Sequence, residues 1–177
     1  MKKQKTIIVD SSSAILLVKS DAFDHLINSY KIIFPNSVYD ELTRDHYFGA
    51  KTFQDYARNG KVALYEVDIS NKSNYVGDQK INALGIGEKE VIQLYESGIG
   101  DFILIDDKKG ATYCRHKNIP YINSILLLKI LFLSGSISKE IYDESNAKLV
   151  TVGRYSDEII EYVCNCSHGE IKNFLSN

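Results

Sequence analysis

Asp10 follows the apolar run Ile7-Ile8-Val9 and precedes three serines, while Asp106 and Asp107 follow the run Phe102-Ile103-Leu104-Ile105. Each is the pattern of a buried strand that ends in acid just where a helix is due to begin. Two further acids sit near helix starts. Glu41 lies three residues after Val38 and beside Leu42, so it points partly along the apolar side of its helix. Glu88 is followed by Val91, Ile92 and Tyr95 at +3, +4 and +7, which places it on the buried face, in the first turn. Taken singly, any of these could be a cap or a first-turn acid favoured by the helix dipole. Taken together they imply more, because carboxylates held close cannot all ionise cheaply unless a cation neutralises them. Oxygen-only ligands select hard divalent ions, Mg²⁺ or Mn²⁺. An acidic site of that kind suits phosphoryl chemistry.

The elements that must position these acids alternate. Strands are expected over 5–9, 31–35, 61–67, 101–106 and 119–122. Helices are expected over 12–19, 21–29 (with Asp21 as N-cap), 36–45, 47–60, 87–98 and 109–118. Three more follow, over 124–134, 138–148 and about 156–166, leading into a polar tail. The polar stretch 68–79, "DISNKSNYVGDQ", is expected to be the most mobile loop. Continuous apolar strands alternating with helices predict an α/β fold, a parallel sheet covered on both faces. Ligands of such sheets bind beyond the carboxyl ends of the strands, so Asp10 and Asp106–Asp107 fall on one edge by topology.

The chain's 177 residues suffice for one domain with a sizeable core. A net charge of −2 excludes a protein that coats nucleic acid, though not an enzyme that touches it briefly. The opening "MKKQKTIIVD" is too short in apolar residues for a signal peptide. The greasiest stretch, 124–135, is about half the length that crosses a bilayer and contains Lys129, so it reads as a buried helix and no membrane contact is expected. Three sparse cysteines suit reduced thiols in a cytoplasm. Cys164, Cys166 and His168 are spaced too tightly, with no fourth ligand, for a structural zinc. Gly85-x-Gly87 serves a tight turn ahead of Glu88 rather than a phosphate loop. A dehalogenase-type phosphotransferase would need an acid two residues after Asp10, where Ser12 stands.

The segments "IIVDSSSAILLVK", "FPNSVYDEL", "LGIGEKEVIQL" and "ILIDDKKG" resemble, in order, the four acidic motifs of the PIN domain, and most nearly its VapC-like toxin group. "INSILLLKILFLSGSIS" is similar to that group's following segment, and the resemblance covers about residues 5 to 140. It implies a PIN-like three-layer sandwich over 1–150, with extra C-terminal helices in 151–177 that belong to the same domain. It also implies a metal-dependent endoribonuclease that hydrolyses single-stranded RNA, with Mg²⁺ or Mn²⁺ as cofactor. By residue, Asp10, Glu41, Glu88, Asp106 and Asp107 would be the catalytic acids, with Asp10, Glu88, Asp106 and Asp107 as metal ligands. Ser12 would orient Asp10 or a water beside the metal. A cognate antitoxin and a homodimer are the protein partners it implies. Two departures fall on substrate handling: Ala111 stands where the group has an arginine, and Asn123–Ser124 where it has Gly-Thr. Lys108 and Lys109 would then supply the charge for an RNA phosphate. The rival reading is a PIN-like protein that no longer cuts and serves as a binding partner.

Overall fold

The computed structural model describes residues 4–67 and 79–175, so the expected mobile loop lies outside the described residues but for its last residue. Five strands form one all-parallel sheet: β1 (Thr6–Val9), β2 (Lys31–Pro35), β3 (Val62–Tyr65), β4 (Phe102–Leu104) and β5 (Tyr121–Ile122). Their order is β3-β2-β1-β4-β5. The chain builds outward on one side of β1, then returns to build on the other, so the order reverses between β1 and β4. At such a switch point the connections leave in opposite directions and a crevice opens at the carboxyl end. β1 is the centre of the sheet, and Ile7, Ile8 and Val9 are wholly buried. Ile8 is in register with Ile33 on one side and Ile103 on the other.

Helices flank the sheet in a three-layer sandwich. In chain order they are α1 (Ser11–Lys19), α2 (Phe23–Ser29), α3 (Asn36–Leu42), α4 (Ala50–Arg58), α5 (Gln79–Asn82), α6 (Ile86–Glu96), α7 (Lys108–His116), α8 (Ser124–Leu133), α9 (Lys139–Gly153), α10 (Asp157–Asn165) and α11 (His168–Ile171). α6 packs on β1, β2 and β4, whereas α8 is covered by α9, α10 and α11. That cover explains why α8 can be apolar on every side. No helix of the described residues is long and apolar enough to cross a membrane.

Two expectations are corrected. Asp21 does not cap α2, whose N-cap is Ala22 without a side-chain bond. Instead Asp21 takes a left-handed conformation (φ 58°). Its N–H donates to Val18 O and the N–H of Ala22 to Leu17 O, the paired bonds that close the end of α1. Its carboxylate meets Lys148 Nζ at 2.5 Å. The second correction concerns the tail, which contains the short helix α11. Beyond it the Phe174 ring lies 5.1 Å from that of Phe102, and Tyr30 donates its hydroxyl to Phe174 O at 2.9 Å.

Candidate functional site

Asp10 is fixed before its side chain is considered. Its N–H donates to Leu104 O at 3.0 Å, extending the β1–β4 ladder by one bond and placing the residue at the mouth of the switch point. The side chain caps α1: Oδ2 accepts from Ser12 N at 3.1 Å and from Ser12 Oγ at 2.5 Å. Only 4% of Asp10 is exposed. Burial pushes its pKa up to about 6 against the Ser12 bonds, and the charge of Glu41 adds to the rise. A buried carboxylate that resists ionisation, with the wider environment apolar, is one that a cation would relieve.

Glu88 stands in the first turn of α6. One oxygen, Oε2, accepts from Gly85 N at 2.7 Å. The other, Oε1, is buried and has no hydrogen-bond partner. Its pKa is pushed up to about 7, first by burial and then by the neighbouring Asp107, with the charge of Asp10 contributing. Asp107 is exposed and caps α7, its Oδ1 accepting from Lys109 N at 2.7 Å and Gly110 N at 3.3 Å. Asp10, Glu41, Glu88 and Asp107 therefore act on one another electrostatically, from four different elements. Among the described residues none of them is in an ion pair.

Asp106 faces elsewhere. Its Oδ2 accepts from Ser13 Oγ at 2.6 Å and from the Ser124 hydroxyl. The Ser124 N–H lies 3.1 Å from both carboxylate oxygens, and Tyr155 OH donates to Oδ1 at 2.7 Å. Burial, followed by the charge of Asp106, raises the Tyr155 phenol and keeps it a donor. The two adjacent aspartates thus diverge, one toward Glu88 and one into a cage of hydroxyls.

Ser13, Ser124 and Tyr155 were not singled out as site residues by sequence reasoning, nor was Glu90. The last is 6% exposed, and its Oε2 accepts from Ser37 N at 3.3 Å and Ser37 Oγ at 2.5 Å. It ties the start of α3, the helix of Glu41, to α6, the helix of Glu88. Gly87 allows the same approach, since a Cβ there would stand 3.1 Å from Val38 Cγ2. The signal for Glu90 was present, because it stands beside Val91 and four before Leu94 in the buried stripe. Ser124 had a weaker one, at the place of the family's usual Gly-Thr. Tyr155 had none. Lys108 and Lys109 are exposed in the first turn of α7.

As they stand, no three His, Cys, Asp or Glu side chains among the described residues are grouped to hold a metal ion. The donor chemistry nonetheless fits a divalent cation. Asp10, Glu41, Glu88 and Asp107 are oxygen donors linked by their mutual charge, and Glu88 Oε1 is an acceptor buried with nothing to accept from.

A family model of the PIN domain matches residues 6–165, from the first residue of β1 to the last of α10. No curated protein matches the chain. PIN domains are in general nucleases that use divalent metal ions and bind nucleic acid. With its all-parallel sheet, its acids at the switch point and a match over most of its length, the chain belongs to the PIN-domain family.

Proposed function

We propose that this protein is a metal-dependent endoribonuclease that hydrolyses the phosphodiesters of single-stranded RNA, and that it is the toxin of a toxin–antitoxin pair. The observation that carries the nuclease reading is the buried, partnerless Oε1 of Glu88, a carboxylate whose pKa is raised, as is that of the nearby Asp10, with neither in an ion pair among the described residues. Asp10, Glu88 and Asp107 are the ligands, with Glu41 completing the acidic wall. Asp106 supports them from its hydroxyl cage. Held by these residues, a Mg²⁺ or Mn²⁺ would supply the positive charge that lets the carboxylates ionise together and would lower the pKa of a water for attack on phosphorus. Ser12 holds Asp10 in the rotamer that faces the crevice, and Lys108 and Lys109 bind an RNA phosphate. The reading of residues 151–177 as part of the same domain is supported by the burial of Ile171 and Cys166 in the common core. The toxin role, with an antitoxin partner and a homodimer, is supported by the resemblance of the four motifs in order.

The absence of a preformed three-carboxylate group among the described residues favours a second reading, a PIN-like binding partner that does not cut. One experiment separates the two. Purified parent, Asp10→Asn and Glu88→Gln proteins are titrated with Mn²⁺ by calorimetry and assayed on a single-stranded RNA. The nuclease reading expects parent cleavage that chelation stops, and loss of both binding and cleavage in the variants. Cleavage by Asp10→Asn at the parent rate overturns the assigned site, and RNA binding without cleavage supports the second reading. Growth arrest on expression, relieved by Asp10→Asn, is the corresponding test of the toxin role.

A further inference from the structure

We infer that Tyr155 is a positioning residue of the acidic site, acting through Asp106 on the neighbouring Asp107. The inference rests on the reading of that site given above, and it adds a contribution from beyond the four acidic motifs. Asp106 and Asp107 share a peptide bond, so whatever fixes the first limits the second. Asp107 must both cap α7 and face Glu88. The cage around Asp106 takes donors from α1 (Ser13), α8 (Ser124) and the turn after α9 (Tyr155). Of these only Tyr155 lies beyond residues 5–140, the stretch that resembles the family's motif order.

Tyr155 is delivered by a turn built for it. α9 ends at Gly153, and Arg154 follows in the left-handed region (φ 51°), a conformation that non-glycine residues hold only where the surroundings impose it. A Cβ on Gly153 would stand 2.2 Å from Tyr155 Cε2 and 2.8 Å from Cζ. The ring therefore lies where only glycine leaves room, and its hydroxyl reaches Asp106 Oδ1 at 2.7 Å. Without that hydroxyl, Oδ1 keeps only the Ser124 N–H, which it shares with Oδ2. The carboxylate can then turn, and the chain at Asp107 loosens.

Tyr155→Phe keeps the ring and removes the bond. Gly153→Ala keeps the hydroxyl but drives the ring off its place; elsewhere in a helix that change favours folding. Mn²⁺ affinity is measured by calorimetry for the parent, both variants, Asp106→Asn and the Asp106→Asn/Tyr155→Phe double variant, with melting curves in chelator as the control for folding. The expected result is a loss of about tenfold in Mn²⁺ affinity for each single variant, the usual scale for a group that orients a ligand. Tyr155→Phe should add nothing further in the Asp106→Asn background. A lower melting temperature with parent-like Mn²⁺ affinity in both Tyr155→Phe and Gly153→Ala overturns the inference and leaves Tyr155 a purely structural residue. Tighter binding by Tyr155→Phe also overturns it, because Asp106 would then be a ligand that Tyr155 withholds. A parent that binds no Mn²⁺ instead overturns the reading of the site itself.

Discussion

Glu88 lies directly against Gly110: a Cβ at position 110 would stand 2.9 Å from Glu88 Oε1 and 2.2 Å from Ile105 Cδ1. The bare oxygen of the site and the first turn of α7 are thus in contact, and glycine is what permits it. Gly110→Ala should therefore do the reverse of what alanine does in most helices. Propensity alone would add about 1 kcal/mol, but overpacking of a closed contact costs about 1–3 kcal/mol. The expected outcome is a melting temperature lowered by a few degrees, together with weaker Mn²⁺ binding. A more stable variant with unchanged Mn²⁺ affinity would show that Glu88 has room to move.

The metal-free protein should lose stability as pH rises through the weakly acidic range. Burial pushes the Asp10 carboxyl up to about 6 in the folded state, above the ordinary 3.8 of a solvated aspartate. Between those values the folded state binds more protons than the unfolded one, so stability falls with pH and levels off above the folded pKa. For Asp10 the full change is on the order of 2–3 kcal/mol. Urea unfolding of parent and Asp10→Asn in chelator, from pH 4 to pH 8, isolates it: the variant should overtake the parent above about pH 6. Parallel curves would remove the claim that Asp10 is strained by its own charge.

The lysines at the start of α7 are tested by salt. If Lys108 and Lys109 hold an RNA phosphate, Lys108→Ala/Lys109→Ala should weaken RNA binding and flatten its salt dependence by a log–log slope of about 0.7 for each lost contact. Mn²⁺ affinity should hold or rise, since positive charge leaves the neighbourhood of the acids. Affinities measured at several salt concentrations decide it, and identical slopes would mean that the lysines never touch the phosphate.

Ending the chain at residue 150 should yield an aggregating protein. α10 and α11 cover α8, whose Leu127, Leu128, Ile130 and Leu131 are wholly buried. Uncovering part of that surface gives up about 25 cal/mol for each Å² of apolar area and also removes Tyr155. A soluble truncated chain with a sharp melting transition would show instead that 151–177 is a dispensable appendage.

Strand ends could be read from the chain because β-branched runs that stop at an acid leave few alternatives. Asp10 and the Asp106–Asp107 pair were placed on one sheet edge by that pattern alone. Which member of the pair faces Glu88 could not be read. Adjacent residues leaving a strand point to opposite sides, so one had to turn away, and the side is chosen by partners 18, 49 and 93 positions distant. Asp21 misled for a related reason. An acid before an apolar helix looks like an N-cap, but here the closing bonds of the preceding helix claimed the backbone first. Glu90 carried a signal in its place on the buried stripe, whereas Tyr155 lies outside any periodic pattern.

The hydroxyl cage around Asp106 also sets a timetable. β1, made first, has no partner on its β4 side until Phe102 pairs with Ile7. Asp106 is not fully held until Ser124 and then Tyr155 have been synthesised. Contacts so far apart in the chain form late and slowly. During translation the acids therefore exist long before the arrangement that gives them purpose, and a nascent chain stalled short of Tyr155 carries every carboxylate of the site yet lacks its last anchor. The order of the strands thus leaves completion of the site to the last part of the chain to be made.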